Sequence, residues 1–321
     1  MTDKFKNPIL KAGADPFVVF WHDKYYYVYS NADASVEVSV ADNIHHITRD
    51  GKCVFKPEEG KEYSKHLWAP ELHEINGEWY LHVACDDGDM THHRMFVLKS
   101  KDGTPDGEYE MVGKITDETD CLAIDGTVIQ KDGELYYVWS GWEEGATAYI
   151  PHDQCIFIAK MKSPTEIEGK RVLLSRPDYD WEKHGSGPAG NGKIHPCVNE
   201  GPQILYKDGT IHIVYSASHS RTRHYCLGIL TYRGGDIMDV ANWTKCDHPV
   251  FSESEGTHGT GHCSFVKARD GKTDFIVYHA MLTTEGGWST RGVRAQPFTW
   301  DGDMPVFGKA ATPEEDVEIP V

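Results

Sequence analysis

Three carboxylates stand where a solvated surface charge would be poorly placed: Asp15 in "KAGADPF", Asp125 in "LAIDGTV" and Glu200 in "IHPCVNEGP". Each adjoins Gly or Pro and leads into an apolar run. Taken one at a time, Asp-Pro and Asp-Gly are ordinary turn chemistry. Gathered in one cleft they could do more, because paired carboxyls suit glycoside hydrolysis: one acid protonates the leaving oxygen while another activates water or attacks directly. Hard cations compete for the same oxygens. The calcium-loop pattern D-x-[DN]-x-[DN]-G is absent, however, and "CDDGDM" (85–90) and "DGDM" (301–304) lack its length and closing glutamate.

The elements that must position these acids recur along the chain. Five aromatic and β-branched runs look alike: "KYYYVYS" (24–30), "EWYLHVA" (78–84), "ELYYVWS" (134–140), "TIHIVYS" (210–216) and "TDFIVYH" (273–279). Four follow a turn signal directly ("WHD", then Asn76-Gly77, Asp132-Gly133 and Asp208-Gly209), and the fifth has Asp270-Gly271 two residues further back. Asn-Gly and Asp-Gly favour two-residue hairpins because both central positions need positive φ. Each run is therefore expected to be the second strand of a hairpin. With Tyr26, Tyr80, Tyr136, His212 and Phe275 as markers, the repeats lie 54, 56, 76 and 63 residues apart. That spacing suits four-stranded blades, and five of them account for one all-β, five-bladed propeller domain over residues 1–321. Two β-sandwiches are the rival, but they do not require the same hairpin five times.

Upstream of the markers stand Asp15, Glu71, Asp125, Glu200 and His262, at 11, 9, 11, 12 and 13 residues. Read as one recurring position, these side chains would ring a single pit, since the first strands of propeller blades line the central channel. The remaining chemistry is sparse. "GTHGTGH" (256–262) lacks the GK[ST] ending of a phosphate loop. The pairs His45–His46 and His92–His93 read as loop residues.

A formal charge of −18 argues against nucleic acid and anionic membrane as partners. The eight cysteines are scattered without a CxxC pair and read as reduced thiols. The N-terminal segment lacks the apolar centre of a signal peptide, so a cytoplasmic chain is expected.

The five segments "ADPFVVFWHDKYYYVYS", "HLWAPELHEINGEWYLHVA", "AIDGTVIQKDGELYYVWSG", "VNEGPQILYKDGTIHIVYSAS" and "GTGHCSFVKARDGKTDFIVYHA" resemble, in order, the blade signatures of glycoside hydrolase family 43, from about residue 8 to about 308. The resemblance implies hydrolysis of an oligosaccharide with inversion. It makes Asp15 the general base, Glu200 the general acid and Asp125 the carboxylate that tunes and holds the acid. It implies that His262 sits at the channel centre and holds a metal, usually calcium, largely through water, with no organic cofactor. Trp68 in "WAPE" and Arg294 in "RGVRAQPF" match sugar-contacting positions. Trp142 and His279, at the ends of second strands, are expected at the same rim by the hairpin logic. Glu71 is left structural. The "HLWAPELHEINGEWY" and "NEGPQIL" variants look most like α-L-arabinofuranosidase members acting on chain ends. β-Xylosidase or endo-arabinanase action on the same scaffold, or a sugar-binding propeller without hydrolysis, are the alternatives. Pocket depth is left to loops such as 143–155 and 176–198.

Overall fold

The two-residue turns form where the sequence places them. The computed structural model describes residues 2–32, 34–149, 152–185, 196–285 and 287–320. The loops expected to set pocket depth lie partly outside these residues. After β1 (Thr2–Lys6) come five antiparallel four-stranded sheets, each with its strands in chain order. Blade I holds β2 (Phe17–Trp21), β3 (Lys24–Ser30), β4 (Val36–Ala41) and β5 (Lys52–Phe55). Blade II holds β6 (Lys65–Ile75), β7 (Glu78–Asp86), β8 (Arg94–Ser100) and β9 (Tyr109–Ile115). Blade III holds β10 (Ala123–Lys131), β11 (Glu134–Gly141), β12 (Cys155–Ser163) and β13 (Glu166–Ser175). Blade IV holds β14 (Asn199–Lys207), β15 (Thr210–Ala217), β16 (Cys226–Tyr232) and β17 (Trp243–Lys245). Blade V holds β18 (His258–Lys267), β19 (Asp274–Met281), β20 (Arg291–Asp301) and β21 (Met304–Val306). The chain finishes in β22 (Asp316–Pro320), which pairs with β1.

The first strands β2, β6, β10, β14 and β18 each contact the next, and β18 returns to β2, so the blades close a ring around a central channel. The aromatic runs are explained by this ring. Alternate residues of a strand face opposite sides, and every second strand is covered on both. In β3, Tyr25, Tyr27 and Tyr29 pack toward blade V, whereas Tyr26 and Val28 pack toward blade II. Three further clusters fill the remaining blade interfaces, so the core is five apolar wedges between neighbouring sheets. Five of the eight cysteines are buried.

The hairpins Trp21/Lys24, Ile75/Glu78, Lys131/Glu134 and Lys207/Thr210 each turn over two residues. All eight turn residues have positive φ, His22 and Asp23 included. Those registers correct the reading that five polar residues share one position. Counting back four residues from the partner of each marker gives Asp15, Ala69, Asp125, Gly201 and His262. Their φ values are 49°, 42°, 56°, 55° and 43°. At the same level one left-handed residue thus stands in each of β6, β10, β14 and β18 and two residues ahead of β2, and in blades II to V it sits at an irregularity in the pairing. Three of the five are titratable. Glu200 precedes its level by one residue and Glu71 follows by two. A non-glycine residue in this region is strained by about 1–2 kcal/mol, and here the bulge turns side chains toward the axis.

Candidate active site

Asp15, Asp125, Glu200 and His262 line one pit of about 380 Å³ at the end of the channel away from the first hairpins. Its wall comes from two sources. The starts of the first strands supply Asp15, Trp68, Ala69, Ile124, Asp125, Val198 and Glu200. The loops from second to third strand supply Met90 in blade II, Tyr149 and Gln154 in blade III, and His219 to Arg221 in blade IV. In blade V the same crossing supplies Trp288, and Arg291 opens β20.

Asp15 is surrounded by nitrogen. Its backbone N–H donates to Nδ1 of His279 (3.1 Å), Arg291 Nη1 donates to its Oδ1 (3.2 Å), and His262 Nδ1 lies 3.2 Å from the same oxygen. Burial alone would raise this carboxyl's pKa. The Arg291 and His262 charges, with His279 beside them, override that and hold it well below the usual carboxylate range. Burial lowers the pKa of His262, but Asp15, Asp125, Glu200 and Glu71 more than reverse this and favour its cation. His279, fully buried, is pushed down to about 4 and is neutral.

The other two acids go the opposite way. Asp125 is buried, accepts the Gly201 N–H at Oδ2 (2.9 Å), and is raised to about 6 by desolvation and by Asp15, against His262. Glu200 accepts the Tyr225 hydroxyl at Oε1 (2.9 Å) and the Gln154 amide at Oε2 (3.4 Å). Desolvation first, then the Asp125 charge, raise it to about 7, with His262 and Tyr225 opposing. One pit therefore holds an anion at every working pH beside an acid that keeps its proton near neutrality. That separation is what acid–base chemistry requires.

Trp68 stands in the wall, its indole stacked on the buried His93 at 4.0 Å between centroids. His93 is tied to Asp86 (2.8 Å), so this member of the His92–His93 pair, a residue of the β7–β8 loop as expected, also buttresses Trp68. Three of the four expected sugar contacts do not line the pit. Trp142 is buried beneath the rim against Tyr149. Arg294 has 0% exposure and lies on the sheet face shared with its cross-strand partner Tyr278 of β19, whereas Arg291, three residues earlier, reaches Asp15 from the opposite face. His279 is buried behind Asp15 and touches it without lining the pit. Glu71 lies deeper in the channel, bonded to Gln203 and to His73.

Sequence reasoning missed Arg291, Tyr225, Gln154, Tyr149 and Trp288. The hairpin argument could have found several. If second strands end at the rim, third strands begin there, and Tyr225, Gln154 and Arg291 are at or next to such starts.

Calcium at His262 is not supported: a hard cation needs six to eight oxygens, whereas Nδ1 of His262 lies against Asp15 Oδ1, and Asp15 Oδ1, Asp125 Oδ2 and both Glu200 oxygens already take N–H or O–H donors. Among the described residues, the one group of three ligating side chains within reach of a single ion is Cys246, Asp247 and His248, outside the pit.

Residues 5–305 match the family described as glycosyl hydrolases family 43. The chain is 32% identical over 289 residues to an extracellular exo-α-(1→5)-L-arabinofuranosidase of Streptomyces chartreusis, covering 88% of this chain and 84% of that one. A protein of the same name from Streptomyces avermitilis is 31% identical over 318 residues, and the match spans 95% of this chain but 63% of that longer one. The solved α-L-arabinofuranosidase of Lactobacillus brevis superposes with a TM-score of 0.85 at 30% identity, covering 97% and 98% of the two chains. Both Streptomyces relatives are named as extracellular, which runs against the cytoplasmic expectation. Among the described residues no helix is long and apolar enough to cross a membrane. With the family matched over nearly its whole length and the propeller shared, this chain is a glycoside hydrolase and belongs to glycosyl hydrolases family 43.

Proposed function

We propose that the chain is a single catalytic propeller that removes terminal α-L-arabinofuranosyl residues from arabinan- or arabinoxylan-derived oligosaccharides with inversion. The observation that carries the reaction is the divergence of Asp15 and Glu200 within one pit. The sugar rests on the relatives, three of which are arabinofuranosidases by name.

In this reading a water held by Asp15 attacks the anomeric carbon and gives that carboxylate its proton. Glu200 donates its own proton to the departing glycosidic oxygen as the carbon–oxygen bond breaks. Asp15 is a weak base, but water bonding to an oxocarbenium-like carbon becomes acidic as it attacks. Arg291 and His262 keep Asp15 ionised and aimed. Asp125 raises the Glu200 pKa, and its bond to the Gly201 N–H ties it to the backbone beside the acid. Trp68 offers an apolar face to the sugar ring.

The test pairs an aryl α-L-arabinofuranoside with an aryl β-D-xylopyranoside and follows the anomer first released by proton NMR. Cleavage of the arabinofuranoside with β-arabinose appearing first is expected. Xyloside preference would move the substrate and keep the mechanism, whereas α-arabinose first would overturn inversion. In Glu200→Gln, turnover of natural linkages should fall by about 10²–10⁴. Aryl glycosides with acidic leaving groups should lose much less, and equal loss on both would remove Glu200 from the acid role.

A further inference from the structure

Of the large hydrophobic side chains left exposed, Trp288 and Met90 line the pit, and Trp288 is an indole with 41% exposure on a short 3-10 turn (Gly287–Thr290) between β19 and β20. A tryptophan so exposed has little core to hold it. Instead it is fixed from the neighbouring blade. Its Nε1–H donates to Ser220 Oγ (2.9 Å), the Arg221 guanidinium lies 3.8 Å from the ring centroid, and the His219 ring runs nearly parallel at 6.1 Å. Arg291, which also binds Asp15, stands 5.9 Å from the same ring.

All three braces, His219, Ser220 and Arg221, belong to the β15–β16 loop of blade IV, the blade that carries Glu200 and Tyr225. Whatever departs from an oxygen protonated by Glu200 meets this loop and the indole laid across it. One face of the ring is taken by Arg221, so its exposed remainder lines the cleft. An aromatic surface clamped in advance by a hydrogen bond and a stacked cation is what a sugar ring stacks on with little ordering cost.

We propose that Trp288, braced by Ser220 and Arg221, is the specificity-determining platform for the sugar residue on the leaving-group side of the scissile bond. The inference rests on the assignment of Glu200 as the acid. It makes the enzyme favour an oligosaccharide over a single glycosyl unit, and it assigns the β15–β16 loop a binding role that no inner-strand motif carries.

The experiment compares an α-1,5-linked arabinofuranosyl disaccharide with α-L-arabinofuranosyl fluoride, whose leaving group fills no sugar site. Wild type, Trp288→Ala, Trp288→Phe and Ser220→Ala are assayed on both. The ratio of kcat/KM, disaccharide over fluoride, should fall roughly tenfold in Trp288→Ala, mostly through KM. It should fall less in Ser220→Ala, which loosens the ring without removing it, and Trp288→Phe should restore part of it. Equal losses on both substrates would make Trp288 a wall of the pit and overturn the platform, as would an unchanged ratio. Wild type that hydrolyses neither compound would instead overturn the arabinofuranosidase reading. In that case the platform is judged by titration: disaccharide binding no tighter than arabinose, or unaffected in Trp288→Ala, would overturn it separately.

Discussion

At the scale of single residues, the pit separates three carboxyl groups by what surrounds each. Asp15 faces Arg291 and His262, whereas Asp125 is raised by burial and by Asp15, and Glu200 by burial and by Asp125. The sign of each shift makes a prediction. Glu200 must be protonated to act, so activity should decline as pH rises through about 7. Asp125 is the largest cause of that elevation after burial, so Asp125→Asn should move the alkaline limb to lower pH as well as reduce kcat, a shift read from the pH profile of kcat. Stability follows the same group in the other direction. The folded pKa of Asp125, about 6, exceeds its ordinary 3.8, so the cost of ionising it is absent below about pH 4 and complete above about pH 6. The cost is on the order of 2–3 kcal/mol. Asp125→Asn should therefore melt above wild type at pH 8, with the gap closing as the buffer approaches pH 4. A constant gap would locate the effect in packing and not in charge.

At the scale of elements, the left-handed residue in or just before each inner strand separates placement of the site from stability of the sheet. Gly201 has φ +55°, and a Cβ there would lie 3.2 Å from the His262 ring and 3.3 Å from Ser216 Oγ. Gly209, at φ +86° in the next hairpin turn, has open space where its Cβ would be. Both Gly→Ala changes strain the backbone by about 1 kcal/mol. Only Gly201→Ala also crowds His262 against Asp15, so it should lose most of its activity, while Gly209→Ala should melt lower with wild-type kcat/KM. The sequence signals for these elements were of unequal quality. Asn-Gly and Asp-Gly marked the hairpins because turn chemistry is local. The common level was not legible, since Ala69 carries no residue preference for positive φ, and it emerged only from cross-strand register. For the same reason Glu71 and Glu200 looked equivalent to residues from which they are displaced by two and by one.

For the whole molecule, closure of the ring is what completes the site. Asp15 meets His279 and Arg291 across 264 and 276 residues of chain because blade V packs against blade I. That contact is buttressed by β1 and β22, whose Phe5, Val317 and Ile319 join the wedge between the two blades, and by the bridge from Leu10 to Val293. Ile319 is fully buried. Ile319→Ala should cost about 2–5 kcal/mol, read as a lower urea midpoint. Because the base depends on that seam, activity should vanish at lower urea than the far-ultraviolet signal of the other blades. Coincident loss of both would show the ring unfolding as one unit.

The sequence by itself determined the parts of this protein that depend on near neighbours: five hairpins, a two-sided burial pattern in their second strands, and acids at the entry to three of the first ones. These follow from turn residues and from side-chain alternation, which act over a few positions. What only the tertiary structure decided is which nitrogen meets which oxygen. Arg291 rather than Arg294 reaches Asp15 because strand faces alternate and the register of β19 with β20 chooses the face. His262 is paired with the Asp15 carboxylate because the ring brings blade V against blade I. The pKa separation on which the chemistry rests is a property of those long-range pairs, since burial and charge act through space and not along the chain.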